Sequence, residues 1–124
     1  MENLKKNIVN ALLLMGKKHI KDKLSKTEWS IENPTRGYCY VVSEYLHFFV
    51  FDKKSEIYKV EVDNETSRHY FLKHNNEIID FTAEQFKDKK VDYTKAVKTH
   101  FIKPSKRAMI LNDTIFNATM VYDC

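Results

Sequence analysis

The segment RHYFLKHNNEIIDF constrains this chain most. Two short runs, RHYFLK at 68–73 and EIIDF at 77–81, have the β-branched and aromatic character of strands. Between them, His74-Asn75-Asn76-Glu77 reads as a tight hairpin, because asparagine tolerates the positive φ that such a turn demands. A turn centred on Asn75-Asn76 fixes the register: Phe71 falls opposite Asp80 and His69 opposite Thr82. Side chains alternate faces along a strand, so His69, Phe71 and Lys73 share a face with Ile78, Asp80 and Thr82. His69 and Asp80 become diagonal neighbours about 7–8 Å apart at their Cα atoms, a gap both side chains can span. A one-residue slip would exchange the faces and separate them. In this register the carboxylate is expected on Nδ1 of the imidazole, leaving the other nitrogen free. His74, of opposite parity, reads as an exposed turn residue.

The rest of the chain supplies helices around this ribbon. Leu4, Ile8, Leu12, Met15 and Ile20 recur at near-helical spacing, predicting a basic amphipathic helix over residues 1–25, with Gly16 its weak point. Residues 26–37, KTEWSIENPTRG, carry loop signals: Asn33-Pro34 disfavours helix, and Gly37 permits a turn. A second helix follows from Tyr38 to about Phe48. EIYKVEV at 56–62 reads as a further strand. Thr82 reads as an N-cap for a short helix over AEQF, and residues 87–103 read as irregular and lysine-rich. A last helix is expected from about Ser105 to Asn117, after Pro104. Helices and an antiparallel sheet in separate blocks give an α+β class in a single domain over 1–124, with a core at 29–117.

Cys39 opens the second helix, thirty residues ahead of His69. Cysteine, then histidine, then a carboxylate is the chain order of papain-like cysteine enzymes. A free thiol ionises near pH 8.5, and catalysis needs more thiolate than that gives at neutral pH. A helix start and a nearby imidazolium would both favour the anion. An oxyanion would also need donors. The Cys39 backbone N–H is one candidate, and the Asn33 side-chain amide, across the Pro-Gly loop, is a second.

Composition bounds the alternatives. Lysine and arginine number 21 against 17 acidic residues, a net charge of +4 spread along the chain, which argues against a nucleic-acid groove as the main role. Two cysteines, Cys39 and Cys124, do not make a disulfide scaffold, and Cys124 reads as a free, frayed thiol. IVNALLLMG lacks the cleavage site of a signal peptide, and no run reaches the ~20 apolar residues of a membrane span. A reducing cytoplasm is the expected compartment. Cys39, His69, His74 and Asp80 match no compact zinc-ligand spacing, so no metal is expected. No phosphate loop or GxSxG motif is present.

Two motifs resemble a known family. WSIENPTRGYC, with Trp29, Ser30, Asn33, Pro34, Gly37 and Cys39, resembles the W-S-x-x-N-P-x-x-G-x-C start of the YunG-like proteins. HYFLKHNNEIIDFTAEQF resembles their histidine strand followed by D-x-T-x-x-Q-F, matching His69, Tyr70, Asp80, Thr82, Gln85 and Phe86. The resemblance runs from Trp29 to the last helix. It implies a bacterial or phage protein with a minimal papain-like or transglutaminase-like α+β domain. By that likeness Cys39 is the nucleophile, His69 the base and Asp80 the orienting acid, while Thr82, Gln85 and Phe86 match without an assigned role. Tyr38 stands where many relatives have glutamine just before the cysteine.

The expected activity is cysteine-dependent acyl transfer on a protein, peptide or small amide, as a peptidase, amidase, deamidase or transglutaminase, with no cofactor. Asn33, Thr82 and Gln85 are candidates for oxyanion binding or support. The competing expectation is a non-catalytic binding or inhibitor module on the same fold, acting through the basic N-terminal helix and the lysine-rich 87–107 segment. The sequence leaves the oligomeric state open.

Overall fold

The computed structural model describes the backbone of residues 1–123 and the side chains through Ala118. Cys124, read above as a frayed thiol, lies outside the described residues. The hairpin sets the frame. Asn75 and Asn76 take φ of 53° and 66°, so the turn uses the conformation that asparagine was expected to tolerate. It joins β2 (His69–His74) to β3 (Glu77–Ile79) with Leu72 paired to Ile79 and Lys73 to Ile78, the expected register. β1 (Glu56–Val60) pairs antiparallel with the other edge of β2, Ile57 against Leu72 and Val60 against His69. β4 (Val97–Thr99) completes an antiparallel sheet of order β3-β2-β1-β4. This fourth strand corrects the expectation of an irregular 87–103. Val97 and Thr99 are β-branched and alternate with Lys98, but three residues beside a lysine-rich stretch are too short a run to read as a strand, and backbone pairing of Ile57 with Thr99 and Lys59 with Val97 holds them in the sheet.

Helices cover one face of the sheet. α1 spans Glu2–Met15 and buries Ile8, Ala11, Leu12 and Met15. The single helix expected over 1–25 is therefore two. Gly16 leaves the helical region at φ 66°, and its carbonyl accepts a hydrogen bond from the buried Tyr38 hydroxyl at 2.5 Å. α2 (Lys23–Glu28) starts afresh at Asp22, whose carboxylate caps it by accepting from the Ser25 N–H at 2.9 Å. α3 (Cys39–Tyr45) runs on into a π-helical turn over Leu46–Val50, which leaves Phe49 partly in solvent although Val42 and Leu46 stay buried. α4 spans Lys106–Asp123. Its cap, Ser105, accepts from the Ala108 N–H at 3.2 Å. Ser105 also donates through its N–H and hydroxyl to the buried Glu44 carboxylate at 2.8 and 2.6 Å, which ties α3 to α4.

The core is one cluster: Ile8 and Leu12 from α1, Val41 and Val42 from α3, Ile57 and Leu72 from the sheet, Leu111 from α4. Each fully buried leucine is worth about 1.5–3 kcal/mol relative to exposure. Leu72 faces this cluster. By alternation His69 and Phe71 face the other way, where Phe86 and Tyr93 cover them at ring-centroid distances of 4.9 and 4.8 Å. The fold is thus α+β, with a buried histidine on the sheet face that the helices leave free. Among the described residues no helix is long and apolar enough to cross a membrane.

Candidate active site

The loop before Cys39 is locked from several sides. Trp29 Nε1–H donates to the Pro34 carbonyl at 2.9 Å. Asn33 Nδ2–H donates to the Gln85 carbonyl at 3.0 Å, and the Gly37 N–H donates to Gln85 Oε1 at 3.1 Å. Arg36, almost wholly buried, pairs with Glu28 at 2.8 Å and Glu65 at 2.7 Å. Gly37 sits at φ 83°, with Ile20 Cγ2 only 2.7 Å from where a Cβ would stand. These contacts join the Asn-Pro-Gly loop to the 3-10 turn Ala83–Phe86 and leave Cys39 half-exposed at the first position of α3.

His69 is 1% exposed. Its Nε2–H donates to Asp80 Oδ2 at 2.7 Å. The carboxylate therefore takes Nε2, where the hairpin reading put it on Nδ1. The hairpin sets which residues meet, whereas the ring's rotation, unread in the register, sets which nitrogen. Nδ1 is sealed from solvent without a partner at regular hydrogen-bond geometry. The neighbour able to serve it is Cys39. Its Sγ lies 3.8 Å from the carbonyl of Arg68, the residue before the histidine, and its thiol is close enough to perturb the ring. Burial opposes a charged imidazole, but hydrogen bonds and charge from Asp80 and Cys39 outweigh it, and the His69 pKa is raised to about 9.

Asp80 is held in turn. Tyr93 O–H donates to Oδ2 at 2.7 Å, and Thr82 Oγ1 lies 3.5 Å from Oδ1. Burial, then the Asp80 bond and charge, push the Tyr93 hydroxyl pKa well above the usual phenol range. Tyr93 went unread in the sequence, because a lone tyrosine among lysines carries no pattern. Thr82 is buried, but its hydroxyl makes no cap bond to the turn that follows, contrary to the expected role.

Asn33 and Gln85, both candidates for oxyanion binding or support, are joined to each other. Asn33 commits its amide to the Gln85 backbone and supports the loop instead of facing the thiol. Gln85 lines the cavity beside Cys39, its Oε1 fixed by Gly37 and its buried Nε2 without an acceptor. His74, expected to be exposed, is half-buried and stacked on Phe51 at 4.2 Å. Tyr38, at the position next to the cysteine, points into the core, and burial raises its pKa to about 12. Among the described residues no group of three or more His, Cys, Asp or Glu is arranged to hold a metal ion.

A family model described as YunG protein matches residues 7–115. The chain belongs to the YunG family. No curated protein matches it, and no solved structure does. The YunG match spans Cys39, His69, Asp80, Gln85 and Tyr93, so every residue of the candidate site falls inside it.

Proposed function

We propose that this YunG-family protein is a cysteine-dependent acyl-transfer enzyme on a minimal papain-like, transglutaminase-like domain. The observation that carries the reading is the buried His69, with Asp80 at 2.7 Å on one nitrogen and the Cys39 thiol beside the ring. An imidazole that keeps its proton to about pH 9 is an imidazolium through the neutral range, suited to favour a thiolate and then to protonate a leaving group. Asp80, fixed by Tyr93, holds the ring in one orientation.

The cycle is as follows. Cys39 sulfur, its proton passed to His69, attacks the acyl carbonyl of a protein, peptide or small amide. The carbonyl electron pair moves to oxygen, and Gln85 Nε2–H and the Cys39 N–H donate to that oxyanion. The oxyanion collapses, the bond to the leaving group breaks, and His69 protonates the leaving group. Water or an amine, deprotonated by His69, then attacks the thioester and releases the thiolate. Gln85 is suited to its part because Gly37 holds its oxygen and leaves the amide N–H free.

The test is a covalent trap. Incubation with p-nitrophenyl acetate and peptide mass spectrometry should find one acetyl group on Cys39, lost in Cys39→Ala and strongly reduced in folded His69→Gln. Acetylation of surface lysines alone, or Cys39 acetylated as fast in His69→Gln, would refute the reading.

A further inference from the structure

The cavity that holds the thiol, of about 510 Å³, is lined by Lys21, Arg68 and Arg107 and by Asp22 and Glu65. The two carboxylates already have partners. Asp22 accepts from Ser25 at 2.9 and 2.7 Å and from Thr66 at 3.0 Å. Glu65 pairs with Arg36 at 2.7 Å and Lys89 at 3.0 Å. The cations do not: Lys21, Arg68 and Arg107 make no ion pair among the described residues, and Arg107 only donates to the His19 carbonyl at 3.3 Å. Tyr40 and Tyr70, edge to face at 4.8 Å, add an aromatic wall. Glu65 is thus neutralised by Arg36 and Lys89. Asp22 keeps its charge but has its oxygens taken up by neutral donors, and the three cations outnumber it, so net positive charge is left for something that enters.

From this, and resting on the acyl-transfer reading, we infer that the substrate carries an anionic group, a carboxylate or a phosphate, which Lys21, Arg68 and Arg107 hold while Cys39 attacks the acyl carbon. Guanidinium forks match both anions. The cations contribute binding and orientation and take no part in bond making.

Iodoacetate and iodoacetamide test this, since the two reagents differ in charge and scarcely in size. In a Cys124→Ser background, alkylation of Cys39 is timed with each reagent at pH 6 and pH 9, in the parent and in Lys21→Gln/Arg68→Gln, which alters exposed residues only. The iodoacetate-to-iodoacetamide rate ratio should exceed that of N-acetylcysteine amide and fall about five-fold in the double variant, the Coulomb effect of two charges at roughly 8–10 Å near water. Added salt should erode it. Inorganic phosphate and succinate, at matched ionic strength, are then tested for protection of Cys39 against iodoacetamide, and the one that protects names the anion. An unchanged ratio in the double variant, or protection by neither, overturns the inference. The two readings fail separately. Slow alkylation by both reagents at pH 6 with the ratio intact at pH 9 sinks the enzyme and keeps the anion site. Fast alkylation without charge preference does the reverse.

Discussion

Asp80→Asn removes one charge from a site where nothing else replaces it. Asp80 and His69 are 4% and 0% exposed in their side chains, so water screens the pair little. Burial is the largest influence on the ring, and it opposes the charge. Without the carboxylate, only the contributions of Cys39 oppose burial, and the His69 pKa should fall. The sign of the stability effect follows. A folded-state pKa raised from 6.5 to about 9 adds stability that is full below pH 6.5 and lost as pH rises through about 9. The separation, at about 1.4 kcal/mol per unit, amounts to about 3 kcal/mol. Urea unfolding should therefore show stability falling between pH 6.5 and 9, by up to that order, in Cys39→Ser, where no thiol ionises. In the parent, the thiol that gives His69 its proton leaves the pair's proton count unchanged up to about pH 8.5 and offsets the fall. Adding Asp80→Asn to Cys39→Ser should cost up to about 3 kcal/mol at pH 6.5 and flatten the pH dependence across the same window. The His69 ring proton, followed by NMR, should titrate near 9 in the parent and clearly lower in Asp80→Asn. A Cys39→Ser curve flat from 6.5 to 9, or a Cys39→Ser/Asp80→Asn curve parallel to it, would refute the reasoning.

Three further substitutions probe the supports. Tyr93→Phe keeps the ring on Phe71 and removes the O–H to Asp80, and urea unfolding should show a loss of about 1.5 kcal/mol; no loss would mean the hydroxyl does not hold the carboxylate. Gly37→Ala forces a side chain to φ 83° and to 2.7 Å from Ile20, so about 3 kcal/mol should be lost in a thermal melt, and an unchanged Tm would contradict the loop geometry. Gln85→Leu should slow acylation of Cys39 by about 100-fold while leaving its alkylation by iodoacetamide unchanged, because alkylation forms no oxyanion. Equal slowing of both would make Gln85 a support of the loop rather than an oxyanion donor.

The parts of this site that were legible in the sequence share one property: they follow from local chain geometry. Asn75-Asn76 fixes the hairpin, the hairpin fixes the register, and the register brings His69 to Asp80. The parts that were not legible depend on packing between distant segments. The choice of Nε2 over Nδ1 turns on ring rotation and on where α3 delivers the sulfur. Tyr93 reaches Asp80 from a segment without periodicity, and β4 exists only because β1 offers it an edge. Gln85 stood out by its motif, but only the Gly37 N–H shows which end of its amide is held. Gly16 was visible as a weak point, and the Tyr38 hydroxyl on its carbonyl shows how a flexible residue becomes a corner.

The most direct measurement is the pH profile of Cys39 alkylation by iodoacetamide in Cys124→Ser, compared with Cys124→Ser/His69→Gln. If the sulfur and the imidazolium form one unit, Cys39 reacts rapidly below pH 7, and the histidine variant loses that low-pH reactivity. A single rise near pH 8.5, the behaviour of an isolated thiol, unchanged by the loss of His69, would contradict it.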